Sequence, residues 1–228
     1  MPLKYFILLI IATCNIAWAL FIWLRNPKDK INIFFSLTVF GLSIWSALVA
    51  MLGLFISSHD LSITIRKDSF IAPLFAVLNF LIFTYYYPYR KKVLSSITIA
   101  LLLLSFTVTV ILVSSDIFIK EAVNINGEWI HTYNPLIYGV FSLVLLFYLW
   151  CGFYNLFSSA LTGDKGIPYR ARVVIVASGA VAVFGLIFSL LMPYIDPVYT
   201  RFNWIGPASS LFMISYISYC IFLKRHWR

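Results

Sequence analysis

The chain contains seven runs of about 20 residues without Asp, Glu, Lys or Arg, and this pattern limits the fold more than any other feature. Each run can cross a hydrocarbon layer of about 30 Å as an α-helix, which rises about 1.5 Å per residue. The runs are apolar on both faces, whereas a strand of a membrane β-barrel would alternate over about ten residues. The sequence therefore predicts an all-α membrane protein, a seven-transmembrane helix bundle, with spans at about 5–24, 31–57, 69–88, 93–115, 134–158, 173–192 and 204–223.

The composition agrees with a membrane environment. The 228 residues are 62% hydrophobic and 11% charged, with a mean hydropathy of +0.94. A soluble domain carries about 25% charged residues, so a water-soluble fold could not hide this much apolar surface. No linker or low-complexity tract interrupts the chain, and we expect residues 1–228 to form a single domain.

Lys and Arg are distributed unevenly between the connections. The connections after the odd-numbered runs sum to a net charge of +10, and those on the other side sum to −1. Because basic loops stay in the cytoplasm, the N-terminus is predicted outside and the C-terminus inside. Lys4 followed by Ala17-Trp18-Ala19 also resembles a cleavable signal peptide, but cleavage would leave the basic connection 25–30 on the outside.

The runs and loops show no sequence motif of catalytic or cofactor chemistry. The last run has no lysine for a retinal Schiff base, no run carries an ionisable group for pumping, and no nucleotide-binding motif occurs. His59 and His131 fall in different outer loops, where we expect solvated side chains rather than a metal site. We therefore predict no catalytic residue, metal or cofactor. The charge of +9 lies in short loops, so no nucleic-acid partner is expected.

Two runs carry small residues on one helical face. Such stripes allow helix backbones to approach closely in lipid, either inside one bundle or at a sliding or homodimer interface. The amides of Asn15, Asn79 and Asn155 are expected to form interhelical hydrogen bonds. The stripes are Ser46, Ala50, Gly53 and Ser57 in the second run, and Ser178, Ala182, Gly185 and Ser189 in the sixth.

Charged and aromatic residues converge in the outer connections. Asn126-Gly127 predicts a turn in the longest one, joining strands at Ala122–Ile125 and Glu128–Tyr133. Rings beside charges suit an amphipathic or small-molecule ligand, while the alternative is a solvated rim with an aromatic belt. The candidate ligand-binding residues, with Asp60 and Arg66 beside them, are His59, Glu128, Trp129, His131, Tyr133, Tyr194, Asp196, Arg201 and Trp204.

Short motifs lie at residues 25–35 and Trp45, at 169–172 and Gly179, and at Gly206-Pro207, Phe212, Tyr216-Ile217 and 224–226. Together these motifs resemble the seven-helix sensory region at the N-terminus of many bacterial histidine kinases. The resemblance implies that the last helix runs into the cytoplasm toward a signalling module. Pro27 would then end the first helix, and Asn32 would act as an amide hook on the second.

The resemblance favours a membrane-embedded sensory domain of a bacterial receptor, located in the cytoplasmic membrane. It would detect an extracellular or membrane-borne signal and pass it through the last helix to a cytoplasmic module or partner. Since the sequence ends at Arg228, the kinase domain is expected in a further part of the protein or in that partner, and this chain is not expected to be an enzyme. The alternatives are a small transporter or transporter subunit, which would need broken spans in matching halves, and a lipid-modifying membrane enzyme.

Overall fold

The computed structural model describes residues 3–55, 58–88, 94–125, 128–162 and 167–223. Within these ranges, seven helical segments are long and apolar enough to cross a membrane, which confirms the predicted all-α bundle. The helices are α1 (Leu3–Arg25), α2 (Lys30–Leu54), α3 (His59–Tyr86), α4 (Ser96–Ser114), α5 (Pro135–Thr162), α6 (Ile167–Gly185), α7 (Met192–Ile195) and α8 (Ile205–Ile217), and the strands are β1 (Ile119–Ile125) and β2 (Glu128–Tyr133).

The last two spans are less regular than the others. A π-helix at Leu186–Leu191 joins α6 to α7, so the sixth span runs over Tyr169–Ile195. A 3₁₀ helix at Pro197–Phe202 precedes α8, and a second π-helix, Ser218–Leu223, follows it. We call Pro197–Ile221 the seventh span.

The helices pack in a ring that closes between its first and last members. Neighbouring pairs are α1 with α2, α2 with α3, α3 with α5, α5 with α6, α6 with α8, and α8 with α1. Helix α4 packs outside this ring, against α3 and α5. In their most apolar stretches α2 and α3 are 61% and 67% buried, and α4 only 17%. Helices α2 and α3 therefore form the centre, and α4 faces mainly lipid.

The junction between the first two helices agrees with the sequence prediction. Helix α1 ends at Arg25, two residues before Pro27, and the Asp29 carboxylate caps α2 by accepting from the backbone N–H of Ile31 at 3.1 Å. The amide of Asn32 donates to the carbonyl of Ile22 at 3.0 Å. Asn32 is thus the predicted hook between these helices.

The third helix begins well before the predicted span at 69–88. It starts at His59 and contains Asp60, Arg66 and other charged residues that were assigned to a loop. Likewise α6 contains Arg170, which was placed outside the sixth run. The helices that contain the third and sixth spans therefore begin earlier than the predicted spans, at His59 and Ile167. A helix continues beyond its apolar stretch wherever backbone hydrogen bonds and neighbouring side chains support it, and hydropathy alone does not detect this.

The long connection forms the predicted hairpin. Strands β1 and β2 are antiparallel, with Ala122 opposite His131 and Ile125 opposite Glu128. The turn at Asn126-Gly127 lies outside the described residues, as do Ser57, the basic residues 90–92 and 165, and residues 224–228. The Lys4 ammonium bonds the Glu128 carboxylate at 2.6 Å, so the start of α1 and the hairpin share one end of the bundle. We call this the hairpin end and the opposite one the basic end.

Candidate functional site

A buried arginine stands at the hairpin end of α3. Arg66 is only 4% exposed, and its Nε donates to Nδ1 of His131 at 3.4 Å. With the Asn203 amide oriented to satisfy both neighbours, its oxygen accepts from Arg66 Nη1 at 3.0 Å and its nitrogen donates to the Phe188 carbonyl at 2.9 Å. These contacts join the third, sixth and seventh spans, and we call them the Asn203 junction.

His131 is part of this buried cluster, so the expectation of a solvated loop histidine is wrong. Its side chain is 0% exposed because the hairpin packs against the bundle, which places the imidazole against Arg66 of α3. Burial, reinforced by the Arg66 guanidinium, lowers the pKa of His131 to about 2. The imidazole is therefore neutral and can accept a hydrogen bond. His59, in contrast, is exposed, with its ring nitrogen 3.2 Å from the Asp60 carboxylate.

A small pocket opens beside the junction, and we call it the hairpin-side pocket. It brings together four of the predicted ligand-binding residues with Arg66, which was expected beside them, and with Asn203, which was not among the candidates. Its lining residues are Tyr5, Val49, Leu52, Arg66, Glu128, Trp129, Ile130, Thr200, Arg201, Asn203 and Trp204.

Other predicted ligand-binding residues lie elsewhere. Tyr133 packs in a buried aromatic cluster with Phe70 and Tyr138, and burial raises the pKa of its phenol. Tyr194 is exposed and stacks on Tyr138 with ring centroids 5.9 Å apart. The Asp196 carboxylate accepts from the backbone N–H of Val198 at 2.9 Å, which starts the 3₁₀ helix. These three positions have local structural contacts and do not line the hairpin-side pocket.

A larger space, which we call the apolar cavity, lies on the other side of Asn203, among the second, third, fifth, sixth and seventh spans. It encloses about 850 Å³ of space when the open solvent at its mouth is included. Its lining residues are Thr38, Leu42, Trp45, Ser69, Phe70, Pro73, Ala76, Val77, Phe80, Phe141, Leu145, Leu149, Phe153, Ser178, Val181, Ala182, Gly185, Leu186, Ser189, Leu190, Asn203 and Met213.

The two small-residue stripes differ in their surroundings. Ala50 is fully buried, and a Cβ added to Gly53 would overlap the ring of Tyr5, so the second-span stripe faces α1. The sixth-span stripe, including Ala182 and Gly185, lines the apolar cavity. A stripe of small residues had been interpreted as a packing surface, but small side chains also leave space unfilled.

The sixth and seventh spans approach closely at two glycines. A Cβ on Gly206 would lie 2.6 Å from the Ser189 hydroxyl, 2.8 Å from the Trp45 ring and 3.3 Å from the Cα of Gly185. Pro207 follows and is buried. A side chain at Gly206 would displace Ser189 and Trp45, so α8 packs directly on the cavity wall.

Carbonyl groups of the sixth-span π-helix are bonded by side chains from other spans. The Tyr138 hydroxyl of α5 donates to the Leu190 carbonyl at 2.7 Å, and Asn203 donates to that of Phe188. Short π-helices occur frequently at functional sites. An amide at the border of an apolar run was the only sequence signal for Asn203, because π-helical bonding leaves no clear pattern in sequence.

The fold defines a multi-pass membrane domain with a polar pocket at one end and an apolar cavity within the bundle. A family model described as the N-terminal 7TM region of histidine kinase matches residues 7–226, and the chain belongs to this family. It is thus of the sensory membrane class, and the match covers the sensory region rather than a catalytic kinase domain. A comparison with curated proteins gives no match.

Proposed function

We propose that this domain detects a signal at its hairpin end or within the membrane and transmits it through the seventh span to a cytoplasmic module of the histidine kinase type. The bacterial cytoplasmic membrane is the proposed location, with the hairpin end outside. Family membership supports the sensory role, and the uneven distribution of Lys and Arg supports the orientation. Phosphoryl transfer would belong to the cytoplasmic module.

The Asn203 junction is the observation that carries this proposal. Asn203 lines both the hairpin-side pocket and the apolar cavity, and it stands two residues before α8. A ligand in either space would therefore contact the residue that precedes the output helix. A sensor responds only if its two states differ in affinity for the ligand, and a contact at this position can supply that difference.

The π-helix provides a means for the seventh span to move. Its residues can return to α-helical bonding by a shift of one residue, since both patterns use the same carbonyls. Gly185 and Gly206 place α8 against this segment, so a change of register at Leu186–Leu191 would move α8. Helix shifts of about 1–2 Å are common in signalling transitions.

A chimera tests the coupling. Residues 1–228 are fused to a histidine kinase module, and autophosphorylation in membranes is compared for the parent and Asn203→Leu. We expect basal phosphorylation to change at least threefold, because the variant loses both hydrogen bonds of the junction. Asn79→Leu is the matched control, since the Asn79 amide bonds the Phe75 carbonyl of its own helix at 2.8 Å. Equal phosphorylation by parent and Asn203→Leu at equal expression contradicts the coupling.

The orientation is tested separately by labelling in intact cells. In a background without the three native cysteines, Glu121→Cys on β1 should react with an impermeant thiol reagent. Lys28→Cys, in the first basic connection, should react only after lysis. Both residues are exposed, so access differs only by the side of the membrane. The opposite labelling pattern rules out the proposed direction of signalling.

A further inference from the structure

Positive charge in the hairpin-side pocket is not balanced. The single carboxylate among its described lining residues, Glu128, is bonded to the ammonium of Lys4 at 2.6 Å. Arg66 and Arg201 also line the pocket, and neither forms an ion pair within the part of the chain that the structure describes. The pocket therefore favours an anion.

Arg66 is the stronger of these two cations as an anchor, because it is almost completely buried. Its described hydrogen-bond partners, the imidazole of His131 and the amide oxygen of Asn203, are both neutral. A guanidinium presents five N–H donors in a planar fork that fits the two oxygens of a carboxylate. A buried cation without a counter-charge is unfavourable, and an anionic ligand would supply that charge.

The apolar cavity begins next to this cation. Asn203, which bonds Arg66, lines both spaces. Ser69 lines the cavity one helical turn along α3, and its hydroxyl donates to the Arg66 carbonyl at 2.7 Å. Beyond these polar groups the lining is mainly aliphatic and aromatic. A molecule that reaches past Asn203 would have its charge at Arg66 and its body among hydrocarbon groups.

We propose that the domain binds a single-chain fatty acid, with its carboxylate paired to Arg66 and its alkyl chain in the apolar cavity. Charge and shape both match at Arg66, whereas an alcohol or an ammonium head would leave the guanidinium without a counter-charge. For its signalling consequence this inference rests on the proposed function. The ligand carboxylate would accept the hydrogen bond that the Arg66 N–H otherwise donates to Asn203. Asn203 would then lose its contact with Arg66 at the start of the seventh span.

Binding is tested on the purified full chain in phosphatidylcholine nanodiscs. The probe is dodecanoate with bromine on its terminal carbon, which quenches tryptophan on contact, and Trp45 lines the cavity. We expect saturable quenching with an affinity at least tenfold higher than for dodecanol brominated at the same carbon. Trp45→Phe should remove most of the saturable quenching.

Variants of two neighbouring cations locate the carboxylate. Arg66→Gln should weaken dodecanoate binding at least tenfold. Lys67→Gln should bind like the parent, because the Lys67 ammonium is directed to the Asp116 carboxylate at 3.1 Å. This pair controls for the loss of one positive charge at the same end of the same helix.

Three results would overturn the proposal: equal affinity for the brominated acid and alcohol, unchanged binding by Arg66→Gln, or quenching that persists in Trp45→Phe. The comparison of head groups uses the parent protein, so it remains decisive if Arg66→Gln does not fold. The assay contains no kinase module. A negative result would therefore leave the coupling through Asn203 standing, and failure of the chimera would leave the binding result standing.

Discussion

The first two helices and the last two spans differ in the regularity of their backbone hydrogen bonding. In the first pair both helices are regular, and side chains of α2 bond carbonyls of α1: Asn32 to Ile22, Ser36 to Ala19 at 2.8 Å, and Ser43 to Ala12 at 2.7 Å. In the last pair the regular pattern is interrupted by π and 3₁₀ segments, and the Phe188 and Leu190 carbonyls of the sixth-span π-helix accept hydrogen bonds from other spans.

This difference indicates which part of the bundle is built to stay fixed. The first pair adds cross-helix bonds to helices that are already complete, so any displacement loses bonds without replacement. The sixth span contains a π-helix, whose return to α-helical bonding is part of the proposed mechanism, and the apolar cavity lies beside it. We therefore interpret α1, α2 and α3 as the frame and the sixth and seventh spans as the moving part.

The largest expected effect comes from separating the frame helices. A Cβ on Gly41 would lie 2.9, 3.0 and 3.1 Å from the Cβ, Cα and backbone nitrogen of Ala76, and a backbone cannot rotate away. Gly41→Leu should lower the free energy of unfolding by about 3 kcal/mol, measured in detergent by chemical or thermal denaturation. Gly139→Leu is the control, because a Cβ there has nothing within 4 Å. Equal stability of the two variants would mean that α2 and α3 are not a fixed pair.

A smaller effect is expected from removing a donor to the π-helix. Tyr138→Phe leaves the Leu190 carbonyl without the hydroxyl that bonds it at 2.7 Å. Losing this hydrogen bond to a partly buried carbonyl costs about 1.5 kcal/mol, and we expect faster amide exchange confined to the sixth span. Tyr194→Phe, on an exposed ring stacked on Tyr138, should change neither quantity. Faster exchange in the frame helices as well would break the distinction between the two regions.

The pH dependence of stability tests whether the buried imidazole of His131 is neutral in the folded protein. The pKa of His131 is about 2 when folded and about 6.5 when unfolded, so the unfolded chain gains a proton first and stability is lost as pH falls below 6.5. Between pH 7.5 and 5.5 this loss amounts to about 1.4 kcal/mol. His131→Gln should show a correspondingly smaller fall in melting temperature over that range, while His59→Gln, at an exposed position, should behave like the parent. An unchanged pH profile in His131→Gln would contradict the buried, neutral state.

The smallest expected effect compares two amides. Asn32→Ala removes a bond between the frame helices, whereas Asn79→Ala removes a bond inside one helix. Interhelical hydrogen bonds in membrane proteins contribute about 0.6 kcal/mol on average, and we expect Asn32→Ala to be less stable by about that amount. Replicate unfolding curves can resolve this difference. Equal stabilities would show that the hook at Asn32 adds nothing to the frame.

The fold was predictable because lipid requires apolar side chains and a hydrogen-bonded backbone along the whole length of a span. Seven apolar runs, the helix end near Pro27 and the hairpin around residues 119–133 all followed from local patterns. Of the amides expected to join helices, Asn15 bonds Ser210 at 2.9 Å and Asn155 bonds Thr84 at 3.2 Å, as predicted. Asn79 bonds its own helix, so that expectation is wrong.

The candidate site was less predictable because it depends on which polar residues are buried by tertiary packing. Arg66 was placed in a loop, since hydropathy does not show that a hairpin covers the end of a helix. His131 was interpreted as solvated for the same reason. The Asn203 junction requires a π-helix, which depends on the packing of three spans rather than on a local pattern.

Helix α4 lies outside the ring, and this position has a consequence for how the family diverges. It is fastened to α5 mainly where the Tyr148 hydroxyl lies 2.7 Å from the Ser105 hydroxyl and donates to the Leu102 carbonyl at 3.1 Å. Most of its other side chains face lipid, which discriminates poorly among Leu, Ile, Val and Phe. Selection should therefore leave this segment free to drift among aliphatic residues, and related chains should differ most along α4 while keeping a hydroxyl at Ser105.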